Sequence, residues 1–175
     1  MKTMCKLLSI LSLSLLFSSY TSSDDCKKEA ALIKRNEALI RRYFDEVLNK
    51  GNLSILDDLV APDYINNSPN TPNPLPGPTG LKPIIIGLRT AFPDLHFEIL
   101  NMCASETQVA IHCVMTGTQT GDYFGTPATG KAVKVNQMQF ERIDKEGKMC
   151  EHWRQSDDLG RLEQLGLLKP NCILK

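Results

Sequence analysis

Between residues 69 and 78 every second or third position is proline: Pro69, Pro72, Pro74, Pro76 and Pro78 are half of the chain's ten. Each removes a backbone donor and fixes φ, so this stretch is neither helix nor central strand. A loop this long inside a compact domain usually forms a lid or a binding loop. It also separates two different hydrophobic periods.

Before it the period is helical. Leu32, Ile33, Leu39, Ile40, Tyr43, Phe44, Val47 and Leu48 form an apolar stripe over residues 26–50, with Asn36 the one polar member and charges between. Gly51 is the expected stop. Asn52 is placed to cap a second short helix, 53–60, which Pro62 ends. After the proline block, Thr79 is placed to cap a third helix, with Pro83 in its first turn. Leu81, Ile84, Ile85, Leu88 and Phe92 line its inner side, and Pro93 stops it.

Beyond it the period is two. Residues 95–102 and 108–118 read as one hairpin, 131–143 and 148–157 as a second across Asp144–Gly147, with a turn-rich excursion from Gly117 to Gly130 between. A short helix, 159–165, closes the chain. Helices followed by antiparallel strands predict an α+β fold, with helices packed on one face of a curved sheet. The mouth of such a cone is a typical small-molecule site.

Charge is balanced, 20 basic against 20 acidic residues, and aromatics are 6%. That excludes a basic nucleic-acid groove and a stacking platform. Residues 1–23 read as an export signal: Lys2 and Lys6, an apolar stretch from Leu7 to Phe17, then small residues. The stretch is too short to span a bilayer, so a periplasmic or secreted single domain, 24–175, is expected, with no membrane span. Export permits disulfides, and Cys26 with Cys172 is one pairing that would tie the termini. Cys103 and Cys113, in apolar runs, read as small buried hydrophobes. No CxxC and no His pair at ligand spacing occur, so no zinc site is expected.

The last strand carries the most chemistry. Alternation places Glu151, Trp153, Gln155 and Asp157 on one face and His152, Arg154 and Ser156 on the other. With Trp153 turned into the fold, Asp157 is a partly desolvated carboxylate suited to acid/base work, or else the cap of the closing helix. On the preceding strand Val133, Val135, Gln137, Gln139 and Glu141 share a face, where Gln137 and Gln139 are ligand contacts or solvated positions. His112, within the apolar run 109–115, is a satisfied buried residue or a ligand contact. His96 and His152 read as exposed or peripheral, and Tyr64 as projecting into the pocket or packing. Tyr123 and Phe124 fall at the pocket rim or a dimer contact.

Several segments resemble the SnoaL-like polyketide cyclases (ester cyclases). They are the Gly147-Lys148 turn, Glu151-His152-Trp153, Asp157 four residues after the Trp, and the Gln164-Leu165-Gly166 ending. Gly117-Thr118, Gly121 to Gly125, Pro127 to Lys131, and Asp63-Tyr64 before the proline loop and Gly80 also match. The resemblance spans roughly residues 33–168. It implies the nuclear-transport-factor-2-like cone, a homodimer through the open sheet face, and cofactor-free intramolecular aldol condensation. It also implies Asp157 as the acid/base and Trp153 as pocket wall. Where relatives carry Tyr-x-x-His, this chain has Tyr64-Ile65-Asn66-Asn67. Asn67 cannot relay a proton but can donate to a carbonyl or enolate oxygen, or it is a turn residue.

The residues leave three readings: a cofactor-free lyase, isomerase or cyclase acting on a small carbonyl compound, a non-catalytic binding module, or a hydrolase of an epoxide or ester.

Overall fold

The structure, a computed structural model, describes residues 23–69, 74–123 and 125–168. The expected export segment up to residue 22, Cys172 and Phe124 lie outside the described residues.

The chain opens with α1 (Ser23–Arg42), which runs directly into a π-helical segment, Tyr43–Asn49. The predicted stripe is the buried face: Ile40, Tyr43, Phe44, Val47 and Leu48 are core. Gly51 ends it with φ 73°. A 3₁₀ turn (Leu53–Ile55) and a one-turn α2 (Leu56–Leu59) follow. Asn52 does not cap them; its Oδ1 accepts from Ser54 Oγ at 2.6 Å.

The next element corrects the expectation. Residues Val60–Asn66 form β1, where the predicted helix would have ended at Val60 with Asp63–Asn67 beyond it. The strand tolerates Pro62 because it is an edge strand. Third comes α3 (Gly77–Ala91), three residues earlier than a Thr79 cap implies, so Pro83 lies inside the helix, exposed, rather than in its first turn. A Cβ on Gly77 would collide with the Pro62 carbonyl oxygen, and its φ is 69°, so only glycine brings the end of the proline loop this close to β1.

Four strands complete the sheet: β2 (His96–Ala104), β3 (Gln108–Thr118), β4 (Ala132–Ile143) and β5 (Met149–Ser156). The order is β1-β5-β4-β3-β2. All pairs are antiparallel except β1 with β5. The closing helix α4 (Asp158–Leu165) lies along β4, where Gln164 Nε2 donates to the Lys134 carbonyl at 3.1 Å and Gln164 Oε1 accepts from Lys134 N at 2.7 Å. One side chain thus pairs β4 where β5 has already ended.

The architecture is α+β, as expected, with the helices against the inner face of the sheet. The core joins Ile40, Phe44 and Val47 to Phe92, Phe97, Ile111, Met115 and Val135. Cys113 is buried as expected, but Cys103 is exposed because it alternates to the outer face of β2. No described helix is long and apolar enough to cross a membrane.

Candidate active site

A cavity opens between α3 and the inner face of the sheet. One wall is apolar. Leu81, Ile84, Ile85 and Leu88 supply it from α3, at the spacing of one helix face, with Phe97 and Met115 opposite. The other wall is polar and comes from β1, β4 and β5.

On β4 strict alternation turns Val133, Val135, Gln137, Gln139 and Glu141 inward, and all five are buried. The first two belong to the core and the last three to the site. Across the ladder, Gln139 faces Arg154 and Glu141 faces His152. Three inward positions of β4 therefore meet the inward positions of β5 as a polar strip beneath the cavity.

Glu141 is 2% exposed and its Oε1 lies 2.6 Å from His152 Nδ1. Burial pushes its carboxyl above the ordinary range, while the His152 ring pulls it back down. The carboxylate selects the Nδ1–H tautomer of the ring, so Nε2 is left as proton acceptor. Tyr43, from the π segment, and Tyr64, from β1, also line the cavity. Burial, reinforced by the Glu141 charge, raises both phenol pKa values well above the ordinary 10.0. They are neutral hydrogen-bond donors at any physiological pH.

The buried amides are tied to each other and to sulfur. Gln139 Nε2 donates to Gln137 Oε1 at 3.1 Å and to Cys113 Sγ at 3.5 Å, and Gln137 Nε2 reaches Met115 Sδ at 3.8 Å. Burial pushes the Cys113 thiol up to about 12, so it stays protonated.

The end of β1 is fastened to β5 beside the site. Asn67 N donates to the His152 carbonyl at 2.8 Å, and Arg154 N donates to Ser68 Oγ at 2.9 Å. At the other end Tyr123 enters the cavity lining from the Gly117–Gly130 excursion. Its ring meets Phe92 edge-on at 5.3 Å and lies under the Arg161 guanidinium at 4.8 Å. Buried Gln119 holds the excursion by donating to the carbonyls of Gly121, Thr126 and Pro127 and accepting from Thr129 Oγ.

Of the residues singled out by sequence, Tyr64, Gln137, Gln139 and Tyr123 line the cavity. Asn67 does not; it is exposed, and its neighbour Asn66 takes the cavity position. His112 lies on the outer face of β3, between Asn101 and Asn136 at 3.3 and 3.4 Å. Trp153 and Gln155 also point outward, Trp153 being 36% exposed and edge-on to Phe140. Asp157 is exposed and caps α4, its Oδ1 accepting from Gly160 N at 2.9 Å.

The reversed face has a specific cause. Ile143 pairs with Met149, but Arg142 pairs with Glu151, so Cys150 is an extra residue in β5. Alternation counted from buried Met149 would turn Glu151, Trp153, Gln155 and Asp157 inward. The bulge at Cys150 reverses it and brings in His152 and Arg154, which line the cavity. His152 is therefore not peripheral. Among the described residues, no three His, Cys, Asp or Glu side chains converge to hold a metal ion.

Comparison with known proteins bears on this site. The family model described as SnoaL-like polyketide cyclase matches residues 38–165. The aklanonic acid methyl ester cyclase DauD of Streptomyces sp. (strain C5) is 29% identical over 130 residues, 73% of this chain and 80% of that protein. The aklanonic acid methyl ester cyclase DnrD of Streptomyces peucetius is also 29% identical over 130 residues, covering 73% of this chain and 88% of that protein. Among solved structures, TsrD of Streptomyces laurentii aligns with a TM-score of 0.70 at 23% identity, over 77% of this chain and 97% of its own. IdmH of Streptomyces antibioticus aligns with a TM-score of 0.64 at 28% identity, over 75% and 98%.

Proposed function

The chain belongs to the SnoaL-like polyketide cyclases, and on that premise we propose that it catalyses cofactor-free carbon–carbon bond formation within a small carbonyl compound, with His152 as the base. The supporting observation is the Glu141–His152 pair on the polar wall of a cavity whose other wall is apolar. His152 Nε2 takes a proton from a carbon next to a carbonyl, and the C–H electron pair moves onto the carbonyl oxygen. Glu141 stabilises the imidazolium that results. Tyr43, Tyr64 and Asn66 are the donors available to the enolate oxygen. The enolate carbon then attacks a second carbonyl carbon of the same molecule, and the new alkoxide takes the proton back from Nε2. The apolar α3 wall excludes water, which favours the folded substrate and protects the enolate.

The test is deuterium exchange into methyl 3-benzoylpropanoate at the carbon next to its ketone, followed by NMR in D₂O. The wild-type protein should accelerate exchange over buffer, and H152Q should lower that rate about 10²–10⁴-fold. A folded H152Q protein with undiminished exchange removes His152 from the chemistry. Binding without exchange makes the protein a carrier rather than a catalyst.

We also propose that residues 1–23 direct export and that two copies pair through the outer sheet face, where Met138 stands 55% exposed near Trp153. Fractionation of cells producing a C-terminally tagged chain tests the first. Light scattering of M138E against wild type tests the second.

A further inference from the structure

The end of β1 supplies two cavity side chains whose acceptor atoms are already taken. Asn66 and Ser68 both line the cavity. Asn66 Oδ1 accepts from Ser68 N at 2.9 Å, and Ser68 Oγ accepts from Arg154 N at 2.9 Å. Both donors are backbone N–H groups, so the main chain holds each side chain in place. What remains to each is its own hydrogen: the Nδ2 amide hydrogens of Asn66 and the hydroxyl hydrogen of Ser68. Among the described residues no group accepts a hydrogen bond from either.

The ladder sets where these two donors stand relative to the base. Asn66 pairs with His152 in the parallel β1–β5 pair, and neighbouring strands lie about 4.8 Å apart. Ser68 meets β5 at Arg154, two positions further along. Two residues of extended chain put Asn66 and Ser68 at most about 7 Å apart at Cα. Two oxygens on carbons separated by one atom, together with their hydrogen bonds, span that interval, and the carbon between them is presented to the neighbouring imidazole. A pair of groups that only donate favours oxygens that only accept. It stabilises most an anion whose charge is shared between two oxygens, because hydrogen bonds to charged groups are the stronger ones. The enolate of a β-dicarbonyl compound is that anion. An isolated ketone engages one donor and leaves the other unmatched.

We infer that Asn66 and Ser68 form a two-donor clamp for a β-dicarbonyl group, one carbonyl oxygen on each, and that the carbon between the carbonyls is the one His152 deprotonates. Its proton goes to Nε2 and its C–H electron pair spreads over the two clamped oxygens. This second half rests on the proposed acid/base role of His152; the clamp stands without it.

The experiment compares binding of benzoylacetone and butyrophenone by calorimetry at neutral pH. The two share a ring and a carbon skeleton and differ by one carbonyl oxygen. Wild type should bind the diketone about tenfold tighter than the ketone. S68A lacks the hydroxyl and should bring the two to within about twofold, and S68T should restore most of the preference. N66D keeps an oxygen for Ser68 N but loses the amide donor, so its preference should also fall to within about twofold. Each variant is judged by its own ratio, so a general loss of affinity does not imitate the effect. Equal or tighter binding of the ketone by wild type overturns the inference, as does a preference that survives in either S68A or N66D. So does a diketone that fails to bind wild type at millimolar concentration. H152Q separates the two readings: it should lose exchange and keep the diketone preference. Exchange undiminished in H152Q, with the preference intact, ends the role of His152 and leaves the clamp.

Discussion

Glu141 Oε1 stands 2.6 Å from His152 Nδ1, while Glu141 Oε2, equally buried, has no hydrogen-bond partner among the described residues. The fold carries a carboxylate that is half satisfied. Burial raises its pKa above the ordinary 4.5. The folded chain therefore binds this proton more tightly than the unfolded chain does, and the favourable contribution is complete below the unfolded pKa. It is lost as pH rises through the folded pKa. Replacing Glu141 by Gln removes that loss. Melting curves of wild type and E141Q taken upward from about pH 4 should diverge in favour of the variant as pH rises. Curves that stay parallel would mean the carboxyl is ionised at no cost. E141Q should also slow exchange, because the ring loses the anion that orients it.

Asp157 provides a clean separation of capping from catalysis. Its carboxylate satisfies Gly160 N at the start of α4. D157A should lower stability by about 1 kcal/mol, a fall in Tm of roughly 2–4 °C for a chain of this length. The exchange rate of the folded variant should match wild type. A folded D157A protein without exchange would bring Asp157 into the chemistry despite its position.

Asn36 interrupts the apolar stripe of α1 for a reason the structure supplies. It is fully buried, and its Nδ2 donates to the carbonyls of Ser105 and Glu106 at 2.8 Å each, holding the β2–β3 turn. N36L keeps the branched shape but strands both carbonyls, so chemical denaturation should report a loss of about 2–3 kcal/mol. Because the turn is remote from the cavity, exchange per folded molecule should not change.

Gln119 does for the excursion what Asn36 does for the turn. Q119L removes the donor shared by three carbonyls and should cost about 2–3 kcal/mol. It also loosens the setting of Tyr123, so the KM for the ketone probe should rise while the exchange rate at saturation holds. An unaltered KM would show that Gln119 does not set the position of Tyr123.

How much of this was legible in the sequence depends on what kept the count of residues regular. On β4 nothing interrupts the alternation, and the face shared by Val133, Val135, Gln137, Gln139 and Glu141 is read directly from spacing. On β5 a single bulged residue, Cys150, reverses the face, and no residue type announces it. Trp153 added to the error: a large aromatic suggests the inside, yet much of a folded surface is apolar, and here the ring rests on Phe140 outside. β1 was hidden for another reason. Val60–Asn66 contains a proline, an aspartate and an asparagine among its β-formers, and its strand identity comes from pairing with β5, which local propensity does not contain. The cross-strand partner of Glu141 would have been found only by testing bulged registers of the β4–β5 hairpin.

The π-helical segment after α1 has a consequence of the same kind. In a regular α-helix residues five apart point about 140° away from each other. Tyr43 and Leu48 are five apart and both line the cavity. The wide turn acts as a phase shifter between two fixed points: Asn36 upstream is tied to the β2–β3 turn, and Asn49 downstream is tied to Phe97 through both its side-chain atoms. Deleting one residue between them would rotate one end of the helix by about 100° relative to the other, and either an anchor or the cavity wall would have to give way. The helix and β5 each slip by a single residue out of step with their own repeat, and the cavity is the place where the two offsets come back into register.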